Sequence, residues 1–222
     1  MEASPLPAAV LAAASDRRGG AMEVAATALD GLLAVAADPL LLEEAVGVLL
    51  AGQPAMAPIW HLARAARSPD PPSALAALGR HLRTDAEAAV DAATAWLLDH
   101  LSDHPGAVAT VSHSSLVNRV LARLGPGQVR GPGAVVGVVG ADAIGPGALL
   151  NATGTRELAA QLPTLVVATG VKLVPGEVFG RLGGPGFEVV PLAAAAAVVV
   201  GGEVLSPAEA GRRAERVSRG RP

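Results

Sequence analysis

Cysteine and tyrosine are absent from this 222-residue chain, the aromatic side chains amount to two Trp and two Phe, and lysine occurs once, at Lys172. Without cysteine there can be no disulfide scaffold, thiolate zinc site, iron–sulfur cluster or cysteine nucleophile. No apolar run is long and clean enough for a bilayer. The best stretch, Gly31 to Leu50, is broken by Asp38-Pro39 and carries Glu43 and Glu44, where a spanning helix needs about twenty mostly uncharged residues. The N-terminus offers Glu2 where a secretory signal has basic residues. The expectation is a cytoplasmic protein that touches no membrane.

What is present points to a packed fold. Hydrophobic residues make up 51% of the chain and charged ones 17%, a balance foreign to disordered segments. The length suits one large domain or two small ones. Twenty-six Gly and eighteen Pro are scattered at turns without a G-X-Y period, which excludes collagen. The net charge of −3 hides an asymmetry: residues 1–105 carry 6 basic and 13 acidic side chains, residues 106–222 carry 11 and 7. Much of the second surplus is a tail, Arg212, Arg213, Arg216, Arg219 and Arg221. Such a tail could meet RNA or an acidic partner, against the ordinary reading of a solvated end.

Up to residue 105 every periodic segment is helical. Met22, Val24, Ala25, Ala28, Leu29, Leu32 and Leu33 recur at helical spacing. Asp38 then reads as an N-cap with Pro39 in the first turn. A third helix is predicted from about Pro54 to Ala66 and a fourth from Ser73 to Leu82. Thr84-Asp85-Ala86-Glu87 has the form of a capping box that opens a fifth. At Pro105-Gly106 the pattern changes. Ala107–Val111, Ala134–Val139, Thr164–Ala168 and Ala195–Val200 are short valine-rich runs. They alternate with helix-period stretches at Leu116–Leu124, Arg156–Leu162 and Pro207–Val217, the last opened by Ser206-Pro207-Ala208-Glu209. The expected fold is α/β: a helical domain over 1–105, then a Rossmann-like domain over 106–222 built on a parallel sheet covered on both faces.

In such a sheet ligands bind beyond the carboxyl ends of the strands. After the first strand come Ser112-His113-Ser114-Ser115. After the second comes Gly140-Ala141-Asp142-Ala143, with Asn151-Ala152-Thr153-Gly154-Thr155 leading into the next helix. After the third come Thr169-Gly170-Val171-Lys172. Asp142 is the sole aspartate beyond residue 105, and Lys172 is the sole lysine. Each of these residues also has a plainer role. Asn151, Thr153 and Ser114 suit helix caps, Asp142 suits a turn, and His113 suits an ordinary loop. A serine hydrolase is disfavoured, because Ser112-His113-Ser114 lacks the G-x-S-x-G elbow. His100 and His104 would share a helix face beside Asp99 and Asp103. No third ligand is fixed by spacing, so a solvated helix end is favoured and neither a metal nor a cofactor is expected. Gly125-Pro126-Gly127 and Gly183-Gly184-Pro185-Gly186 make weak phosphate loops, since proline removes an amide.

Val139-Gly140-Ala141-Asp142-Ala143-Ile144 followed by Asn151-Ala152-Thr153-Gly154-Thr155 resembles the V-G-A-D-x-I … N-K-x-G-T signature of the initiation-factor-2B regulatory-subunit-like family. That family also holds the methylthioribose-1-phosphate and ribose-1,5-bisphosphate isomerases. Val111 to Ser115 resembles its T-H-S-x-S stretch, Thr169 to Lys172 its lysine-bearing strand end, and Phe187 to Pro191 its F-D-x-T-P motif. Asp16 to Ala21 is similar to the arginine-glycine-alanine element, and Gln53 to Ala57 to the R-P-T motif. The resemblance implies a helical domain on a Rossmann-like domain, a phosphorylated sugar held between the two, and a homodimer. Isomerase chemistry needs an acid and a base across adjacent carbons; the family uses a cysteine and the aspartate of G-A-D.

This chain departs from the family at the working positions. Ser114 stands where the cysteine is, Gln53 where the phosphate-binding arginine is, and Ala152 where the lysine after the signature asparagine is. Residues 116–133 leave room for one helix and a loop, so a shorter sheet is expected. Three functional classes follow. The first is a binding or regulatory protein with a sugar-phosphate or nucleotide pocket and no catalysis. Its ligand would be met by Asp142, Arg18, Gly19, His113, Ser115, Asn151, Gly154, Thr155 and Lys172, with helix amides near Ser114 and Thr155 facing phosphate. The second is an aldose–ketose isomerase using Asp142 with Ser114 or His113. The third is a purely structural interaction module.

Overall fold

A computed structural model describes residues 6–111, 114–125 and 133–217. Five helices come first: α1 (Ala8–Ser15), α2 (Ala21–Val35), α3 (Pro39–Gly52), α4 (Ala57–Ala66) and α5 (Pro71–Asp103). Asp38 caps α3 as expected, accepting from the Leu40 amide at 3.0 Å and the Leu41 amide at 3.1 Å, with Pro39 at the first helical position. The apolar stripes of α1 to α4 and the start of α5 enclose one core around Val10, Leu32, Leu49, Ile59, Leu62 and Leu75.

The expected break between a fourth and a fifth helix is not there. Residues 71–103 form one continuous helix of 33 residues. The apparent capping box at Thr84 lies inside it, and the Thr84 hydroxyl donates back to the Arg80 and His81 carbonyls. Threonine satisfies itself this way within a helix, so the local signature carried no stop. Past this point α5 changes company. Ala89, Val90, Ala93, Leu97 and Leu101 pack on the sheet rather than on α1–α4.

The sheet strands are β1 (Ala107–Ala109), β2 (Ala134–Val139), β5 (Thr164–Ala168), β7 (Ala197–Val200) and β8 (Glu203–Leu205), in the order β1-β2-β5-β7-β8. All pairings are parallel except the terminal β7–β8 hairpin. Side chains alternate cleanly between two buried faces. Val136, Val138, Leu165, Val167, Ala197 and Val199 meet α5 and α6 (Ser115–Leu124). Val139, Val166, Ala168, Val198 and Val200 meet α7 (Thr155–Gln161) and α9 (Pro207–Arg216) on the other. This double burial is why the strands are nearly unbroken valine runs. The Ser206 capping box is formed, with the Glu209 amide donating to Oγ of Ser206 at 3.3 Å and the Ser206 amide to Glu209 at 2.9 Å.

A second sheet was not anticipated from the sequence. β3 (Ala143–Ile144), β4 (Ala148–Ala152) and β6 (Phe187–Pro191) form an antiparallel ribbon in the order β3-β4-β6. The short helix α8 (Gly176–Phe179) closes its outer side with Trp60 and Val178 in a small shared core. The ribbon carries both ends of the G-A-D to N-x-x-G-T segment, Asp142 just before β3 and Asn151 within β4. At the end of α5, His100 stacks on Trp96 with centroids 5.1 Å apart, and His104 lies 5.0 Å beyond. Among the described residues no three metal-ligating side chains gather. On α9 and the adjoining hairpin, Arg213 is paired with Glu203; Arg219 and Arg221 of the basic tail lie outside the described residues. No helix of the described residues is long and apolar enough to cross a membrane.

Candidate functional site

The segments after β2 and β5 run side by side. Ile144 and Leu173 form a parallel bridge, and the Val174 amide donates to the Ile144 carbonyl at 2.9 Å. This register brings Asp142 and Lys172, thirty residues apart in sequence, to one opening. There the α2 N-terminus and the α6 N-terminus also meet: the Cβ direction of Gly20 points to the Ser115 amide, 3.7 Å away. The result is a cavity of about 380 Å³, at the lower end of the range for small-molecule sites. Arg18, Gly19, Ser114, Ser115, Asp142, Asn151 and Lys172 all line it. His113 lies outside the described residues.

Lys172 is 4% exposed as a residue, lines the cavity, and makes no ion pair among the described residues. Burial pushes its amine well down from the usual lysine range, and the negative charge of Asp142 opposes the shift. The Asp142 carboxyl is pushed up by burial, with Lys172 opposing. The two therefore feel one another through space without forming a direct ion pair. Asp142's backbone is fully engaged: its amide donates to Leu150 at 2.8 Å and its carbonyl accepts from the Ala57 amide at 3.1 Å, tying the start of α4 to the site.

The 3-10 turn Gly170–Lys172 that presents the lysine is gripped from the helical half. Asp85 on α5 accepts from the Gly170 amide. His61 on α4 is buried and bonds the Leu173 carbonyl through Nε2 at 2.9 Å. A carbonyl only accepts, so Nε2 carries the proton. Burial lowers the His61 pKa to about 4, with the Leu173 bond opposing. Gly201, after β7, has φ +58°, and a Cβ there would collide with the Asp85 carboxylate.

The rim loop between α1 and α2 is tied down by its own residues. Asp16 Oδ1 accepts from the Arg18 and Gly19 amides, each at 2.8 Å. Those two bonds, with minor help from Arg17 and Arg18, hold the Asp16 carboxyl below the usual range. The amides of Arg18 and Gly19 are thus occupied, and what remains of this element toward a ligand is the exposed Arg18 side chain. Gln53 is buried, and its Nε2 donates to the Ala13 and Asp16 carbonyls at 2.7 Å each. It anchors the loop from beneath.

The opposite rim departs from the sequence-based expectation. Gly154 and Thr155 stand outside the cavity lining. Gly154 has φ +99° and opens α7; the next amide, Arg156, is capped by Glu188 at 2.9 Å. A carboxylate already at that helix start leaves no place for a phosphate. Thr155 is buried, accepts from Asn151 Nδ2 at 2.9 Å and donates to Ala152 at 2.7 Å. It orients Asn151 rather than touching a ligand. The sequence placed Asp16 and Gln53 within family-like stretches without their anchoring roles, and it did not point to His61 or Asp85. Only Asp16 carried a local signal, since Asp-x-x-Gly is a turn former. The others act through partners 37 or more residues away.

No protein-family model matches the chain, and no curated protein resembles it in sequence. Solved structures do. The translation initiation factor eIF-2B of Pyrococcus horikoshii OT3 superposes with a TM-score of 0.69 at 19% identity, covering 92% of this chain and 99% of that one. The chain has the initiation-factor-2B fold. The tetrameric eIF2B-beta2-delta2 complex of C. thermophilum matches with a TM-score of 0.67 at 14% identity, covering 92% and 91%. The 5-methylthioribose 1-phosphate isomerase of Pyrococcus horikoshii OT3 matches with a TM-score of 0.55 at 13% identity, covering 95% and 87%. The 2B fold thus accommodates both translation-factor subunits and a sugar-phosphate isomerase.

Proposed function

We propose that this chain is an initiation-factor-2B-type binding protein that holds a phosphorylated sugar, or a metabolite of that size, in the cavity between its helical half and the sheet. One observation carries the reading: Lys172, nearly buried and without an ion pair among the described residues, faces a small polar cavity with Asp142, Asn151 and the Arg18 side chain around it. An anionic group would be met by the exposed Arg18 side chain at the rim, while Asp142 and Lys172 would meet the oxygens of the sugar.

Isomerisation is the weaker reading. Ser114 occupies the place of the family's catalytic thiol, and a serine hydroxyl is a far poorer acid. Gln53 is engaged with backbone carbonyls and offers no cation. Association with another copy of this chain, or with a related subunit, belongs to the same proposal, as does a role in translation initiation. Calorimetric titration with a panel of aldose and ketose phosphates tests the pocket. Binding is expected for an aldose phosphate, with Kd rising about tenfold or more in Lys172→Met, the loss of one polar contact. Silence across the panel rejects the pocket, and ketose product abolished by Asp142→Asn would establish the isomerase instead.

A further inference from the structure

We propose that Lys172 captures carbonyls covalently: its ε-amine, looking into the cavity beside Asp142, condenses reversibly with the open-chain aldehyde of an aldose phosphate to form an imine. The proposal rests on the pocket reading above and names the reactive form of its ligand.

A lysine placed for structure alone is expected at the surface or in an ion pair. Lys172 is 4% exposed as a residue, lines the cavity, and makes no ion pair among the described residues. The turn that carries it is fixed at both ends by Asp85 and His61, so the side chain is presented rather than loosely held. Burial lowers the Lys172 pKa from the usual lysine value, which enlarges the share of amine, the form whose lone pair the reaction needs. Burial raises the Asp142 pKa, which enlarges the share of its proton-carrying form. The cavity lining thus brings a nucleophile and a proton carrier to one opening.

The steps balance without an oxidant or reductant. The lysine nitrogen attacks the aldehyde carbon, the C=O electron pair moves onto oxygen, and the proton lost by nitrogen ends on that oxygen to give a carbinolamine. The Asp142 carboxyl protonates the new hydroxyl, water leaves, and the nitrogen lone pair completes C=N. The iminium then returns its proton to the Asp142 carboxylate. One amine and one aldehyde give one imine and one water. Sugar hydroxyls lie within reach of Asn151, which Thr155 holds in place.

Having one lysine makes the test direct, because the chain holds just two kinds of aliphatic amine, Lys172 and the N-terminus. The full chain is incubated with D-ribose 5-phosphate and cyanoborohydride near neutral pH, followed by intact mass and peptide mapping. The expected result is one adduct per chain on Lys172. Its rate should saturate with sugar phosphate and exceed that at the N-terminal amine by about tenfold or more. Lys172→Arg should abolish it and Asp142→Asn should slow it. If calorimetry shows ribose 5-phosphate bound while Lys172 stays unmodified, imine capture is overturned and the pocket reading stands. Modification that rises linearly with sugar, without saturation, also overturns it, as ordinary glycation. Absence of both binding and adduct for every aldose phosphate tried overturns the two together. Peptide mapping of the unaltered chain decides the matter even if Lys172→Arg does not fold.

Discussion

His61 makes the fold sensitive to mild acid. In the unfolded chain its imidazole takes up a proton near its ordinary 6.5, whereas the folded protein resists until about 4. Stability should therefore fall as pH drops from about 6.5 to about 4, and the loss should level off below that. The full span corresponds to about 3 kcal/mol. Asp142, shifted upward, works in the opposite sense. Comparing the protein with His61→Gln cancels that contribution. The variant keeps a donor for Leu173 but has nothing to titrate, so the gap between the two urea-unfolding curves should close as the pH falls. Curves that stay parallel would show that His61 is not held neutral. Gln53 gives a second prediction at this scale. Gln53→Ala takes its amide donor from the buried Ala13 carbonyl and leaves the Asp16 carbonyl to Arg17 alone, at a cost of about 1–3 kcal/mol. Restoring the arginine that the family resemblance places there should cost at least as much, because a guanidinium would have to enter a site shaped around an amide.

At the scale of elements, most of the framework was readable before the coordinates and most of the linkage was not. The four parallel strands and α6, α7 and α9 show themselves in valine runs and capping residues, which are local. The β3-β4-β6 ribbon escaped because its pieces are two to five residues long, β3 and β4 are joined by a tight turn, and β6 pairs with β4 from some forty residues further on. The helix break expected at Thr84 failed for a related reason: Thr-Asp-Ala-Glu has the same spelling inside a helix as at its start. Only the sheet beyond it shows what Asp85 is for. The convergence of Asp142 and Lys172 on one opening was legible, since both follow strands of one sheet. The occupied amide at Arg156 was not, because its carboxylate partner, Glu188, lies 32 residues further on. Asp85 supplies the test at this scale. Asp85→Ala removes the acceptor for the Gly170 amide and should cost about 1–3 kcal/mol. It should also weaken sugar-phosphate binding by loosening the lysine turn, an effect that titration calorimetry separates from global stability. Unchanged affinity in a destabilised protein would confine Asp85 to a scaffold role.

For the whole molecule, α5 is the shared member of two cores. Leu75 sits with α1–α4, while Val90 and Leu97 sit under the sheet. Neither core is complete without its stretch of that helix, so thermal unfolding should appear as one calorimetric transition despite the change of architecture along the chain. Leu97→Ala, which empties a fully buried position, should lower that single transition by about 2–5 kcal/mol and leave it undivided. Two resolved peaks would separate the halves.

A rod of 33 residues is about 50 Å long, and it passes from one half into the other with no joint. Swinging the halves apart about residue 105 would unpack a helix that belongs to both cores. A guest entering by the mouth passes residues 16–20, Pro185 and Phe187, which line it. Small-angle scattering profiles with and without sugar phosphate should then coincide, while amide exchange slows around those residues alone.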